Sequence, residues 1–277
     1  MKNILYPTDF SENSSHALDY AVELARLFNA ELVLFNSYEL PYSRSNLLVS
    51  MTERMQKDSE EGLNNLKESI LSNKEYSNIK VLIDSQSGSF VSLIPKVAER
   101  FKSDLIVMGT KGASGLKEVF IGSNTLEVIQ TAHCPVLAIP EKALKAQNRK
   151  FDQIAMATDL RPLVKERILN PLFSIANRCS SHLEFVHIIR KEDEDSLEKK
   201  TEQAIELENL AGNISSSIHF ATDDDIIDGI SEYINEKKPD LFAMISRKHS
   251  LFERIFTKSI TNKLSFRTEV PLLVLSE

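Results

Sequence analysis

Asp104-Leu-Ile-Val-Met108 and Pro135-Val-Leu-Ala-Ile139 are two short apolar stretches whose pattern occurs twice in the 277-residue chain. A shift of 136 positions aligns them without a gap on Asp240-Leu-Phe-Ala-Met244 and Pro271-Leu-Leu-Val-Leu275. Continuous apolar runs of this length are typical of strands that are covered on both faces of a parallel sheet. Because both the order and the spacing of the stretches are kept, the sequence predicts two tandem copies of one domain.

The starts of the two copies also match. Ile4-Leu-Tyr-Pro-Thr-Asp9 aligns on Ile154-Ala-Met-Ala-Thr-Asp159 with a shift of 150 positions. Between the copies, residues 141–150 (EKALKAQNRK) are polar and charged and contain few large apolar side chains. We therefore predict one domain over residues 1–140 and a second over residues 151–277, joined by this linker.

Strand-like and helix-like segments alternate in the first copy. Short apolar runs predict strands over residues 3–6, 31–35, 80–83, 105–108 and 136–139. Helical periodicity predicts helices over residues 17–28, 47–72, 89–101 and 123–131. Five strands with helical crossovers indicate the α/β class, with a doubly wound, five-stranded parallel sheet and flanking helices in each copy. In such sheets, ligands bind at the carboxyl ends of the strands where the strand order reverses.

The second copy follows this pattern less regularly. Pro171 lies inside its first helical pattern and is expected to kink or shorten that helix. The acidic run at residues 223–225 is expected to follow a strand and start a helix, because acidic side chains are favourable at the positive end of the helix dipole.

A glycine-rich stretch follows the fourth strand of the first copy. It reads Met108-Gly-Thr-Lys-Gly112-Ala-Ser-Gly115-Leu-Lys-Glu-Val-Phe-Ile-Gly122-Ser-Asn124 and holds four of the chain's 8 glycines. Glycine lets the backbone turn tightly and approach a ligand. The helix predicted after Gly122 starts with N–H groups that have no intrahelical acceptor and carry partial positive charge. Together these features are typical of a phosphate cradle.

A simpler interpretation is a flexible strand-to-helix turn, since short glycine motifs have many false positives. The stretch is not a Walker A loop, because it lacks Gly-Lys-Ser/Thr at the required spacing. No G-x-G-x-x-G follows the first strand either, which excludes the dinucleotide fingerprint. On the residues alone, the phosphate cradle and the simple turn both remain open.

The spacing Gly-x2-Gly-x9-Gly-Ser resembles the nucleotide-binding motif of the universal stress protein family. The opening Ile4-Leu-Tyr-Pro-Thr-Asp-Phe-Ser11 and the closing His133-Cys-Pro-Val136 are similar to that family's first strand and to the start of its last strand. The resemblance covers residues 1–140 and, in eroded form, residues 151–277. It implies an adenine nucleotide alpha hydrolase-like fold in both copies and the binding of ATP, with Mg²⁺ held mainly by the phosphates.

The resemblance also implies contacts for ten residues. Those at the adenine and ribose are Pro7, Thr8, Asp9, Ser37, Met108 and Gly109. Those at the phosphates are Gly112, Gly122, Ser123 and Asn124. Asp9 has a second interpretation, as a turn or helix-capping carboxylate before Ser11-Glu12. Its expected position at the end of a buried strand, facing the glycine-rich stretch, favours the binding role.

The second copy lacks these glycines. With the shift of 136 positions, Gly109, Gly112 and Gly122 correspond to Ile245, Lys248 and Lys258. Side chains would fill the space that phosphates need, and a Cβ atom restricts the turn. We therefore predict one bound ATP per chain.

Other parts of the motif persist in the second copy. Ser259 corresponds to Ser123, and Thr158-Asp159 to Thr8-Asp9. The basic cluster Arg247-Lys-His249 is interpreted as a solvated surface or, alternatively, as a different anion site.

The composition restricts location and partners. The formal net charge of -7 gives no general attraction to nucleic acid or to an acidic membrane. No apolar run approaches the ~20 residues that span a bilayer, and the chain does not start with a signal-peptide pattern, so we expect a cytoplasmic location. The two cysteines, Cys134 and Cys179, form neither a disulfide framework nor a zinc site, and Cys134 is interpreted as a packed thiol.

No catalytic or metal-ligating residue is predicted. His16 and His133 are isolated, with no second ligand at metal-binding spacing. The leading hypothesis is an ATP-binding regulatory or stress-response protein. The alternatives are a slow ATPase or phosphoryl-transfer enzyme and an interaction module that binds no nucleotide. No base or arginine finger lies in the motif, and Lys111 and Lys117 have no motif-defined role, which argues against efficient catalysis.

The last strand of each copy is a short apolar strand that would end its sheet. An exposed apolar edge favours pairing with another strand, and the resemblance implies dimerisation through this strand. We predict that residues 135–139 and 271–275 pair within one chain in an antiparallel manner, as an internal pseudo-dimer. The linker spans up to ~35 Å when extended, which is long enough. A homodimer of whole chains is a further possibility.

Overall fold

The computed structural model describes residues 1–39, 47–110, 121–143, 151–190, 197–246 and 269–276. These residues form two compact units, and the division falls between Val136 and Leu137. Part of the predicted linker, residues 144–150, lies outside the described ranges.

The first copy alternates strands and helices along its whole length. Its strands are β1 (Asn3–Pro7), β2 (Glu31–Tyr38), β3 (Val81–Ser87), β4 (Leu105–Gly109) and β5 (Val136–Ile139). Its helices are α1 (Glu12–Phe28), α2 (Leu47–Ser72), α3 (Phe90–Arg100) and α4 (Ser123–Thr131). The strand order is β3-β2-β1-β4-β5, and β1 pairs in parallel with both β2 and β4. The predicted α/β class with a doubly wound parallel sheet is confirmed.

The strand order determines where a ligand can bind in this copy. The chain moves outward from β1 to β2 and β3 and then returns to place β4 on the other side of β1. The order therefore reverses between β1 and β4, and in such sheets a crevice lies outside the carboxyl ends of the two strands at the reversal. This crevice is the usual ligand position in open α/β sheets.

Capping residues define the helix that follows β1. Ser11 is the N-cap of α1, and its side chain accepts a hydrogen bond from the backbone N–H of Ser14. At the other end, Asn29 adopts a left-handed conformation (φ 50°), a common way to end a helix. Between the caps, Ala17, Ala21 and Leu24 are fully buried and pack α1 on the sheet.

Two strands of the first copy continue three or more residues beyond their predicted ends, whereas β1 and β4 exceed theirs by one residue. The predicted ends at residues 35 and 83 were wrong, because β2 continues to Tyr38 and β3 to Ser87. The added residues are mostly polar, so an apolar pattern could not reveal them. They continue the parallel ladder, in which Asn36 is in register with Ser85 and Tyr38 with Ser87.

The second copy has the same order of strands in its sheet. Its strands are β6 (Gln153–Ala157), β7 (His182–Ile189), β8 (Ser216–Thr222), β9 (Leu241–Ser246) and β10 (Leu272–Ser276), in the order β10-β9-β6-β7-β8. Its described helices are α5 (Asn170–Cys179), α6 (Leu197–Ala211) and α7 (Ile226–Lys237).

The first two helices of the second copy are shorter than their counterparts in the first copy. The predicted shortening at Pro171 is confirmed: a 3-10 helix over Glu166–Leu169 precedes α5, and Pro171 lies in the first turn of α5, where its missing N–H is tolerated. Helix α6 has 15 residues, whereas α2 has 26. In the described part of the chain, no helix is long and apolar enough to cross a membrane.

Candidate functional site

The turn after β1 is held by backbone and side-chain hydrogen bonds from several directions. Thr8 is buried, its N–H donates to the Phe35 carbonyl at 2.8 Å, and its own carbonyl accepts from Asn36 Nδ2 at 2.7 Å. The hydroxyl of Thr8 accepts from the N–H of Phe10 at 3.0 Å. This last bond supports the positive φ of Phe10 (60°), a conformation that is uncommon for residues other than glycine.

Asp9 lies on the exposed surface of this turn, at the carboxyl end of β1. Its Oδ1 accepts hydrogen bonds from the backbone N–H of Ser11 at 3.0 Å and from the Ser11 hydroxyl. Ser11, not Asp9, is the N-cap of α1. Asp9 therefore does stabilise the turn, as its second interpretation requires, while its carboxylate remains at the edge of the sheet.

Buried hydroxyl groups surround the turn on its inner side. The Tyr6 hydroxyl donates to the Ser14 carbonyl at 2.7 Å. The hydroxyls of Thr8 and Ser14 lie 3.0 Å apart, and the latter donates to the Ser11 carbonyl. Since Ser14 uses its one hydroxyl proton on Ser11, Thr8 is the donor to Ser14. Burial raises the pKa of Tyr6 to about 12, so its phenol remains a neutral donor at physiological pH.

The end of β4 and the start of α4 lie side by side. The backbone N–H of Gly122 donates to the Thr110 carbonyl at 2.7 Å, and Thr125 Oγ1 donates to the Gly109 carbonyl at 3.0 Å. These two bonds join the ends of the glycine-rich stretch across residues 111–120, which are not described. The start of α4 is therefore fixed beside the carboxyl end of β4.

Gly122 is the N-cap of α4, as predicted for the residue before the helix. Its φ of -69° and ψ of 161° are extended values that any residue can adopt. Backbone conformation therefore does not require glycine here. Because Gly122 has no side chain, no side-chain cap covers the first N–H groups of α4, and the exposed Ser123 and Asn124 are the first residues of this helix.

The predicted site residues thus lie in four places. Pro7, Thr8 and Asp9 are at the end of β1, Ser37 is near the end of β2, Met108 and Gly109 end β4, and Gly122, Ser123 and Asn124 start α4. All of these positions are at the carboxyl edge of one parallel sheet or directly after it. Gly112 lies outside the described residues.

A buried polar chain behind the turn was missed by the sequence analysis. Asn36 Oδ1 accepts from the Ser59 hydroxyl at 2.7 Å, and the hydroxyls of Ser59 and Ser85 are 2.7 Å apart. This series of hydrogen bonds ends at the Thr8 carbonyl, which accepts from Nδ2 of Asn36. The sequence signal that could have revealed it is the polar Asn36-Ser37 pair that follows five residues of an otherwise apolar strand.

The second copy keeps the backbone of the turn and changes the side chains around it. The N–H of Thr158 donates to the Val186 carbonyl at 2.9 Å, and the N–H of Leu160 donates to the Thr158 hydroxyl at 3.0 Å. Leu160 has the same positive φ (58°) as its counterpart Phe10. The Thr158 carbonyl, however, is bonded to His187 Nδ1 at 2.9 Å rather than to an amide.

Asp159, the counterpart of Asp9, is also engaged differently. Oδ2 accepts from Arg161 Nε at 2.7 Å, and a second guanidinium nitrogen, Nη2, lies 2.5 Å away. In the first copy the position of Arg161 is held by Ser11, which carries no charge. In the second copy, the carboxylate at this edge is therefore paired with a cation of the same turn.

The end of β9 also differs from the end of β4, because a bulky side chain replaces a glycine there. Ile245, at the position of Gly109, is buried within β9. Lys248, Lys258, Ser259, Arg247 and His249 lie outside the described residues, as do Lys111 and Lys117. In the described ranges, no group of three or more His, Cys, Asp or Glu side chains is arranged to hold a metal ion.

The interpretation of the acidic run at residues 223–225 is confirmed. Asp225 is the N-cap of α7 directly after β8, and its side chain accepts from the N–H of Ile227, as expected for the acidic run. Cys134 is half-buried, and this burial raises its pKa to about 12.

Comparison with known protein families gives the same tandem organisation. The model of the universal stress protein family matches residues 1–140 and again residues 150–276. A universal stress protein of Methanocaldococcus jannaschii, MJ0531, is 34% identical over 144 residues, which are 50% of this chain and 81% of that protein. A putative universal stress protein of Staphylococcus aureus is 30% identical over 163 residues, or 58% of this chain and 95% of that protein.

A solved structure shares the fold over the whole length. The crystal structure of a universal stress protein from Archaeoglobus fulgidus aligns with 99% of this chain and with 98% of its own length, with a TM-score of 0.75. At 23% sequence identity, this likeness concerns the fold alone.

Proposed function

We propose that this chain, which belongs to the universal stress protein family over residues 1–140 and 150–276, binds ATP in its first copy and has a regulatory or stress-response role. The observation that carries the proposal is the bond from the Gly122 N–H to the Thr110 carbonyl, 2.7 Å long. Through this bond, the start of α4, whose N–H groups have no side-chain cap, lies beside the end of β4. Strand β4 is next to β1 in the sheet. Helix starts of this kind bind phosphate groups.

In this proposal, the two ends of the nucleotide contact different elements. Asp9 accepts hydrogen bonds from ribose hydroxyls, with Pro7, Thr8 and Ser37 beside the adenine and Met108 and Gly109 beside the ribose. The phosphates lie against the N–H groups of Ser123 and Asn124, with Gly112 and Gly122 leaving room for them. Mg²⁺ is held mainly by phosphate oxygens, which suits a hard cation that keeps most of its water.

The differences between the copies support one ATP per chain. Asp159 is paired with Arg161, and Ile245 fills the position of Gly109. Isothermal titration calorimetry of the full chain should give a stoichiometry of one. Two ATP molecules per chain would contradict the proposal.

A pair of matched variants tests the assignment of the site. Asp9→Asn should weaken ATP binding, whereas Asp159→Asn, the same change at the matching position of the second copy, should leave it unchanged. Gly122→Val should abolish binding, because a branched side chain enters the space of the phosphates while its backbone remains in an allowed region. Unchanged affinity in Gly122→Val would refute the site, provided that its thermal unfolding matches the wild type.

Two alternative functions make different predictions. A slow ATPase or phosphoryl-transfer enzyme should release phosphate over hours, and Gly122→Val should abolish the release. An interaction module without nucleotide should purify without any bound adenine compound, which mass spectrometry of the denatured protein can detect. ATP binding without phosphate release is the result expected of the regulatory function.

The proposal extends to assembly and location. We propose that β5 and β10 pair within the chain as an internal pseudo-dimer, because each is a short apolar strand and such strands tend to pair when they end a sheet. A homodimer of whole chains is compatible with this arrangement. A cytoplasmic location completes the proposal, and cell fractionation tests it.

A further inference from the structure

We propose that helix α2 positions the turn that carries Asp9, and that Ser59 is the positioning residue, acting through Asn36. This inference rests on the proposed nucleotide site, because the turn matters for binding only if Asp9 contacts the ligand. It adds to that site a buried residue on another element, which is not among the residues expected to contact ATP.

The first connection is a directed chain of hydrogen bonds. Ser59 donates its one hydroxyl proton to Asn36 Oδ1, so Ser85 must be the donor to Ser59. Asn36 in turn donates from Nδ2 to the Thr8 carbonyl. Ser59 is 4% exposed and Asn36 is 7% exposed, so water does not compete for these bonds. Successive bonds of this kind polarise one another in a low-dielectric interior, which strengthens the chain.

The second connection is a packing contact one helical turn further along α2. A Cβ atom at Gly62 would lie 2.7 Å from Cζ of Phe10, so the Phe10 ring occupies the space next to the bare backbone of Gly62. Ser59 and Gly62 are three residues apart and therefore lie on one face of the helix. Glycine inside a helix costs about 1 kcal/mol relative to alanine. Here it allows the aromatic ring of the turn to approach the helix.

The two connections hold the turn on both sides of Asp9. Thr8, the residue before it, is held by the hydrogen-bond chain. Phe10, the residue after it, is held by the helix backbone at Gly62. Asp9 itself needs no contact with α2 to be positioned by it.

The second copy shows that the fold itself does not require this connection. His187 and Phe220 are in register at the positions of Asn36 and Ser85. Their rings are 6.0 Å apart in a T-shaped arrangement, and His187 Nδ1 holds the Thr158 carbonyl. The same turn backbone thus forms with an aromatic pair where the first copy has Asn36 and Ser85. The polar chain to α2 is present in the copy that keeps the glycine-rich stretch.

The test compares Ser59→Ala with Ser69→Ala, which removes an exposed hydroxyl from the same helix. Hydrogen exchange of residues 8–11, measured by mass spectrometry on the nucleotide-free chain, should be several-fold faster in Ser59→Ala and unchanged in Ser69→Ala. Ser85→Ala, which leaves the bond between Ser59 and Asn36 intact, should have a smaller effect. Unchanged exchange in Ser59→Ala, or faster exchange throughout the first copy, would overturn the positioning role.

Binding measurements complete the test. Ser59→Ala should weaken ATP and adenosine by the same factor and leave inorganic tripolyphosphate unchanged, because the turn faces the nucleoside end. Equal weakening of tripolyphosphate would refute this assignment. If the wild-type chain binds no ATP, the proposed function fails and Ser59 has no role in binding, while the exchange data still decide whether α2 positions the turn.

Discussion

Replacing Asn36 with aspartate should make the stability of the first copy depend on pH. Asn36 is buried and uses both ends of its amide: Nδ2 donates to the Thr8 carbonyl and Oδ1 accepts from the Ser59 hydroxyl, each at 2.7 Å. A carboxylate has nearly the same shape but brings an acceptor oxygen to the position of the donating Nδ2. When the introduced carboxyl is ionised, one of its oxygens therefore faces the Thr8 carbonyl oxygen with no proton between them.

The magnitude follows from these contacts. A buried carbonyl left without its donor costs ~1–3 kcal/mol, and a buried charge adds a desolvation cost. We expect a total loss of about 3 kcal/mol in the free energy of unfolding at neutral pH. In the protonated state, the introduced carboxyl can again donate to the Thr8 carbonyl, so most of the loss disappears.

The sign of the pH dependence is determined by the same argument. Burial beside a carbonyl oxygen raises the pKa of the introduced carboxyl in the folded state above its value in the unfolded state. The native state then binds more protons than the unfolded state, so stability falls as pH rises between these two pKa values. The Asn36→Asp variant should be less destabilised at about pH 5 than at about pH 7.5.

Urea unfolding at both pH values measures this effect. The control is Asn73→Asp, the same change of charge at an exposed site where Oδ1 only accepts from the N–H of Glu75. The control variant should follow the wild type at both pH values. If Asn36→Asp and Asn73→Asp lose equal stability with equal pH dependence, the buried polar chain does not hold the turn as described.

Three further predictions concern other contacts. Gly62→Ala should change the free energy of unfolding by no more than about 1 kcal/mol, because the gain in helix propensity offsets the displacement of the half-exposed Phe10 ring; a larger loss in thermal unfolding would contradict this. Cys134 should react with iodoacetamide far more slowly in the native chain than in urea at about pH 8, since partial burial raises its pKa to about 12 and leaves little thiolate; equal rates by mass spectrometry would argue against this rise in pKa. A fragment of residues 1–145 should dimerise through its last strand, and Leu137→Pro should prevent this by removing a ladder donor; a fragment that stays monomeric at high concentration would count against the strand pairing.

The repeat and the element types could be read from the sequence because they depend on local patterns. The predicted helix over 47–72 and the strand over 136–139 have the observed bounds of α2 and β5. Continuous apolar runs determine buried parallel strands, and helical periodicity determines a buried helix face. The polar ends of β2 and β3 were missed for the same reason, since residues that pair without apolar side chains leave no such pattern.

The candidate site was predicted only in part. The glycine spacing and the turn at Asp9 are continuous in sequence, so their position after buried strands could be predicted. The hydrogen bonds from Ser85 through Ser59 and Asn36 to Thr8 each join residues that are 23 to 28 positions apart, and no local pattern relates them. The structure also showed that Asp159 is bonded to Arg161, which the surviving Thr158-Asp159 pair did not indicate.

The sequence by itself determined that the chain contains two doubly wound copies, and which copy keeps the glycines of a phosphate site. Hydrophobic periodicity and the special backbone freedom of glycine are properties of short segments, so they can be read along the chain. Only the tertiary structure decided which side chains hold the turn beside that site. Packing brings α2, β2 and β3 against the end of β1, and a buried hydroxyl or amide forms hydrogen bonds with whatever partner that packing places within reach.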